Sequence, residues 1–266
     1  MLLESALHAD SCFVTLTYDD TSLPYGSTLV PEHVRDWLKR IRKLYAPSKI
    51  RYFVAGEYGK LKERPHYHAA LFGIDALTAG GNDGRQGIVQ ETWKMGYTYV
   101  GELNSKSAGY ICKYLTKNAY QEKDGVAISA RKFCLKDGRY PEFVRMSLKP
   151  GIGRNAIKVV ASTFDPFHLK YLEENQDVPF TLRLGKRQYP LGRYLRSALR
   201  QELGYGKKAS DEATQKFAIK MREMFQEAYD IQKSKGKKFT NLVDFNKGKI
   251  QSIEAKFKIH DSKRTL

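Results

Sequence analysis

Runs of β-branched and aromatic residues alternate with helical stripes along the first half of the chain. Cys12-Phe-Val-Thr-Leu-Thr-Tyr18 predicts a strand, ended by Asp19-Asp20. Pro31 then opens a helix. Val34, Trp37, Leu38, Ile41 and Leu44/Tyr45 recur there at helical spacing, with Arg35, Lys39, Arg40 and Lys43 outside the stripe, and Pro47 closes it. Ile50–Gly56 and Tyr67–Phe72 read as two further strands. The charged stretch Tyr58–Pro65 between them has hairpin length, which predicts antiparallel pairing.

Gly80–Gly84 reads as a loop, Ile88–Lys94 as a short helix and Tyr97–Leu103 as a strand. Ser105–Ala119 reads as a helix capped by Asn104 or Ser105, and Glu142–Leu148 as a fifth strand. Strands so mixed with helices, some in hairpins, predict an α+β fold with a central antiparallel sheet flanked by helices. From Asp165 onward strand signals thin out, and Leu191–Leu203 and Asp211–Gln232 look helical, the latter bearing Phe217, Met221, Met224 and Tyr229. The pattern therefore divides the chain into 1–165 and a helical, basic extension at 166–266.

Composition adds a partner class. With 46 Lys and Arg against 29 Asp and Glu, the 266-residue chain carries a formal charge of +17. Such a surplus suits a polyanion, most simply nucleic acid. Residues 233–266 hold ten Lys/Arg against three Asp/Glu; they read either as a solvated tail or as a segment tracking a phosphate backbone.

Composition also excludes several classes. No window approaches the 18 apolar residues of a membrane span, and Met1–Asp10 has no basic region leading into an apolar one, which argues against secretion. Cys12, Cys112 and Cys134 lack CxxC spacing and read as reduced thiols of a cytosolic protein. No GxxxxGK[ST] occurs, so no P-loop ATPase or helicase activity is visible.

Chemistry gathers at two places. In Arg64-Pro-His66-Tyr-His68 the strand period of two sends His66 and His68 to one face and Tyr67, Ala69 and Leu71 to the other. Two imidazoles so placed can reach one divalent metal, although two sheet-surface histidines would give the same pattern. Glu57, at the end of the preceding strand, returns beside His66 through the hairpin and is the natural third ligand; Glu63, in the connection, competes with it. Two imidazoles and a carboxylate leave coordination positions open for a substrate oxygen.

The second place is Gly109-Tyr110-Ile-Cys-Lys113-Tyr114-Leu-Thr-Lys117. On a helix, Tyr110, Lys113, Tyr114 and Lys117 share an arc about 100° wide, while Ile111, Cys112 and Leu115 turn toward packing. Tyrosines at i and i+4 can simply pack on each other. Flanking ammonium groups also favour phenolate, the form of tyrosine that attacks phosphorus.

Taken together, His66-Tyr67-His68, the strand Thr15-Leu16-Thr17-Tyr18 and the Tyr110/Lys113/Tyr114/Lys117 helix resemble the three motifs of HUH rolling-circle replication initiators. Gly56-Glu57-Tyr58-Gly59, the paired tyrosines and Lys149-Pro-Gly-Ile-Gly153 are similar to the gokushovirus-like initiators of the microviruses, over roughly residues 11–155. One departure is that Met1–Ser11 stand where that group usually has a Cys- and Arg-rich segment, which leaves aside any origin contacts such a segment makes.

The resemblance implies an HUH endonuclease sheet of RRM/ferredoxin-like type. It implies Mg²⁺ or Mn²⁺ on His66, His68 and Glu57, and Tyr110 and Tyr114 as alternating nucleophiles supported by Lys113 and Lys117. DNA contacts would fall to Thr15, Thr17, Arg64 and Lys106. Such a protein nicks single-stranded origin DNA in the host bacterial cytoplasm through a 5′-phosphotyrosine ester, and leaves unwinding and synthesis to a host helicase and polymerase. Three other readings remain from the residues alone. They are another HUH nuclease (plasmid initiator, relaxase or transposase), a noncatalytic RNA- or DNA-binding domain, and a zinc hydrolase using water.

Overall fold

A computed structural model describes residues 1–59, 63–80, 87–117, 121–123, 126–128, 138–234 and 236; the side chains at 113–117, 121–123, 126–128 and 232 lie outside that description. The chain forms two compact units, Met1–Thr163 and Phe164–Leu266. Its architecture is α+β, with a five-stranded antiparallel sheet flanked by helices and a helical C-terminal region.

Unit 1 opens with α1 (Leu2–Ser5), β1 (Ser11–Tyr18), α2 (Pro31–Leu44), β2 (Arg51–Tyr58) and β3 (Pro65–Phe72). It continues with α3 (Ala76–Gly80), α4 (Ile88–Trp93), β4 (Gly96–Glu102) and α5 (Ser105–Lys117). After the short hairpin β5 (Gln121–Lys123) and β6 (Val126–Ile128) come β7 (Phe143–Met146) and α6 (Ala156–Ser162). The sheet order is β4-β1-β3-β2-β7, and every pairing in it is antiparallel. Each strand that the sequence pattern predicts in this unit is present to within two residues of its expected bounds. Helix α3 goes beyond that pattern, and residues 81–84 of the expected glycine loop lie outside the described residues.

The two sheet faces differ in what covers them. One face carries Val14, Leu16, Tyr18, Val54, Tyr67, Ala69 and Leu71, packed under Trp37 and Ile41 of α2 and Trp93 of α4. Its buried phenols are structural. The Tyr18 hydroxyl meets His33 Nδ1 and the Tyr67 hydroxyl, both at 2.8 Å, and the Val30 backbone N–H donates to Tyr67 at 2.9 Å, tying the start of α2 to the sheet. Burial, reinforced for Tyr18 by the neighbouring Tyr67, pushes the Tyr18 phenol up, and burial also raises Tyr67; neither is a nucleophile near neutral pH. Gly56 is required here, because a Cβ would come within 2.7 Å of the Phe143 ring.

The opposite face carries Phe13, Phe53, Ala55, Ala70 and Phe72, with Leu103, Ala108 and Ile111 packed on it from α5 and its entry. Asn104 caps α5 by accepting from the backbone N–H groups of Lys106 and Ser107 at 2.9 and 3.1 Å, while Ser107 Oγ accepts from the Asn104 N–H at 2.8 Å. Ile111 is fully buried, as the helical spacing predicts, but Cys112 is exposed rather than packed. A helix lying on a flat sheet buries a narrower arc than the three residues assigned to packing.

Glu4 of α1 is buried and clasps the segment 149–153. It is ion-paired with Arg51, accepts from the Gly153 N–H at 2.5 Å, and Arg51 in turn donates to the Pro150 carbonyl at 2.7 Å. Burial alone would raise the Glu4 carboxyl, but the Gly153 N–H, Arg51 and His8 outweigh it and hold it below the ordinary range. A carboxyl depressed on folding stabilises fully above its unfolded value and loses that contribution as pH falls through its folded value. Glu4→Gln is therefore expected to lower stability at neutral pH by about 3 kcal/mol and to reduce its loss in acid, read from urea unfolding at both pH values.

Unit 2 comprises α7 (Pro166–Asn175), a hairpin of β8 (Thr181–Leu184) and β9 (Arg187–Pro190), α8 (Arg193–Glu202) and α9 (Asp211–Ser234). The hairpin and α7 go beyond the sequence pattern. Thr181–Leu184 and Arg187–Pro190 are too short and too polar to stand out as strand patterns. Asp177 joins this unit by accepting from Arg196 and Arg200, and Arg196 lies over the Phe180 ring at 3.5 Å. Most of the basic stretch 233–266 is outside the described residues. Among the described residues no helix is long and apolar enough to cross a membrane.

Candidate active site

Strand register brings the chemistry together on the α5 face. In the β2–β3 hairpin Glu57 pairs with His66 and Ala55 with His68; across β3–β1, Thr17 pairs with His66 and Thr15 with His68. With side chains alternating along each strand, Glu57, His66, His68, Thr15 and Thr17 share one face.

The side chains converge further than register requires. His66 Nε2 and His68 Nε2 both approach the same carboxylate oxygen, Glu57 Oε1, at 2.7 and 3.0 Å. One ligating atom from each of the three residues lies within 4.8 Å of the others. Glu57 is 2% and His68 3% exposed, so only the His66 side opens toward solvent. Glu63, the competing carboxylate, instead pairs with Arg139 at 2.8 Å.

These residues fit a divalent cation. His66 Nδ1 donates to the Arg64 carbonyl at 3.0 Å, and a carbonyl only accepts. In the neutral ring Nε2 is then a lone pair aimed at a carboxylate oxygen, an arrangement that needs a cation between the two. Glu57 Oε2 is buried and has no hydrogen-bond partner among the described residues, a second lone-pair donor without a proton. Burial tends to raise the Glu57 carboxyl, but hydrogen bonds from His66 and His68 prevail and keep it low, hence ionised and able to ligate.

Packing orients His68. Its Nδ1 meets Thr15 Oγ1 at 2.9 Å, and its ring stacks on Phe13 with centroids 5.7 Å apart. The Tyr110 ring stands edge-on to it at 4.9 Å, and His66 does so at 5.0 Å. Phe13 also meets Tyr110 at 6.0 Å. Tyr110 is thus the phenol that α5 carries to the histidines. Lys113, Tyr114 and Lys117 follow on the same helix, with side chains outside the described residues.

The remaining anticipated contacts are spread around this centre. Thr17 is half-buried on the same face, and Lys106 is exposed on the first turn of α5. Arg64 is held on the Tyr18 carbonyl at 2.8 Å and on Asp20 at 2.7 Å, so its guanidinium braces the β3 entrance. Two roles escape sequence reasoning, Phe13 as the surface under His68 and Thr15 as its hydrogen-bond partner. Both lie on β1, whose alternation is the available signal.

Comparison with known proteins gives three related sequences. Residues 11–119 match the family model of the replication-associated protein ORF2 group. Replication-associated protein ORF2 of Spiroplasma virus 4 is 33% identical over 62% of this chain and 48% of its own length. Replication-associated protein ORF4 of Chlamydia phage 1 is 29% identical over 43% of this chain and 32% of its own. Replication-associated protein VP4 of Bdellovibrio phage phiMH2K is 23% identical over 96% and 80%. The chain thus spans half or less of the first two relatives. No solved structure gives a significant match. The resemblance to microvirus replication-associated proteins stands on these matches.

Proposed function

We propose, from the match of residues 11–119 to replication-associated proteins, that this protein initiates rolling-circle replication of a small single-stranded DNA phage genome by nicking and rejoining its DNA. The observation that carries the reading is the convergence of both imidazoles on Glu57 with the Tyr110 ring against His68.

Glu57, His66 and His68 hold the metal. Mg²⁺ or Mn²⁺ bound there would polarise the scissile phosphate and offset the charge that builds on it. Tyr110 or Tyr114 gives up its phenolic proton and attacks phosphorus. The bond to the 3′-oxygen breaks, the 3′-hydroxyl takes up a proton, and the 5′-phosphate stays on tyrosine as an ester. Lys113 and Lys117 favour the phenolate. The second tyrosine cuts after one round, and the new 3′-hydroxyl attacks the first ester to close a circle. One phosphoester replaces another, so no nucleotide hydrolysis is needed. A host polymerase extends the released 3′-end and a host helicase unwinds ahead of it, which places the protein in the bacterial cytoplasm.

Incubating the protein with a randomised pool of single-stranded oligonucleotides and Mn²⁺ tests this. The expected products are a free fragment ending in a 3′-hydroxyl and a second fragment joined to the protein through its 5′-phosphate, a link that survives denaturant. A free 5′-phosphate from the first turnover would mean that water attacks, and the tyrosine chemistry would fall.

Thr15 is the positioning residue of this scheme, since its hydroxyl meets the imidazole nitrogen away from the metal position. Thr15→Val keeps the shape and removes the hydroxyl. We expect it to weaken Mn²⁺ binding by about 10- to 100-fold, with Thr15→Ser restoring it, measured by calorimetric titration.

A further inference from the structure

Two tyrosines on the face of the metal ligands lie largely in the open. Tyr97 and Tyr99 of β4 are 71% and 62% exposed, whereas their strand neighbours turn to the other face: Thr98 donates to Gln90 at 2.6 Å and Val100 packs into the core. Register places them in line with the site. Tyr97 pairs with Thr17, which pairs with His66, and Tyr99 pairs with Thr15, which pairs with His68. Two strand spacings, about 10 Å, separate each tyrosine from its histidine.

Tyr99 is also held in place. Its ring lies over Gly101, where an added Cβ would come within 3.1 Å of the hydroxyl oxygen, and it meets Phe13 edge-on at 6.3 Å. Because Phe13 stacks on His68, a row of rings runs from Tyr110 through His68 and Phe13 to Tyr99. The chain carries +17, which draws phosphate, and this edge offers flat apolar rings beside the metal ligands. Unpaired DNA supplies the matching pair of groups, a phosphate backbone and exposed base faces.

We infer that Tyr97 and Tyr99 form a stacking platform for the unpaired bases flanking the scissile phosphate. The identity of the ligand rests on the proposed function; the platform itself is tested without any cleavage. In EDTA, binding of fluorescent oligodeoxythymidylate is measured by anisotropy. Tyr97→Ala and Tyr99→Ala should each weaken it about tenfold, and Trp at either position should preserve it. An oligonucleotide of the same length with abasic sugars should bind the wild type more weakly and the double alanine variant no more weakly than its thymidylate counterpart. The His66→Ala/His68→Ala variant should keep wild-type affinity for oligodeoxythymidylate, so a failure to nick would overturn the nuclease chemistry and leave the platform standing. Wild-type affinity in the double alanine variant, or no discrimination against abasic sugars, would overturn the platform. So would alanine variants that change the oligomeric state and not DNA affinity, since β4 would then be a subunit contact.

Discussion

Replacing His66 and His68 together with alanine is expected to abolish metal-dependent nicking, by about a thousandfold or more, while affinity for single-stranded DNA stays near that of the wild type. The rate loss follows from removing two of three ligands at a centre whose charge must meet the phosphate as it reacts. Affinity survives because it rests on dispersed Lys and Arg contacts to phosphates. The double variant leaves Glu57 as a buried carboxylate without its two partners, at a cost of about 3–5 kcal/mol. Thermal unfolding must therefore accompany the assay, and reversible loss of nicking in EDTA, restored by Mn²⁺, gives the same test on the unmodified chain. Undiminished nicking in either arm would sink the metal assignment.

The paired tyrosines give the second large effect. If Tyr110 and Tyr114 alternate as nucleophiles, Tyr110→Phe and Tyr114→Phe should each still trap one DNA adduct but lose strand transfer and circle closure. The double variant should form no adduct and still bind DNA. Were the rings only packing, either phenylalanine would cost no more than a hydroxyl hydrogen bond, about 1 kcal/mol of stability. Tyr110 has the ring contacts of a residue serving both purposes, being edge-on to His68 and to Phe13. Lys113→Ala should slow attack without stopping it, because it removes charge support and leaves the nucleophile. Mass spectrometry of the trapped peptide decides the matter. A DNA-linked peptide containing Tyr97 or Tyr99 would also break the distinction between nucleophile and stacking surface.

The parts of this protein that are legible in its sequence are those governed by local repeat. The period of two in β3 sends His66 and His68 to one face, and the structure buries Tyr67, Ala69 and Leu71 on the other. Hairpin length brings Glu57 opposite His66, because a short connection leaves few registers open. The helical period puts Tyr110 on α5, with the cap choice of Asn104 or Ser105 resolved to Asn104 by hydrogen bonds that a spacing argument cannot rank. Cys112 shows the limit of such reasoning, since which arc of a helix is covered depends on the surface it lies on.

What only the tertiary structure decided is long-range. The order β4-β1-β3-β2-β7 inserts β1 between strands distant from it in the chain, and that insertion alone sets Phe13 beneath His68, Thr15 against its Nδ1, and Tyr97 and Tyr99 in line with the histidines. No periodicity encodes strand order, because each strand's alternation is the same whichever neighbour it pairs with. The meeting of both Nε2 atoms on a single oxygen of Glu57 likewise depends on rotamers fixed by packing across three strands. The sequence by itself determined which side chains could share a face; the fold determined which of them meet.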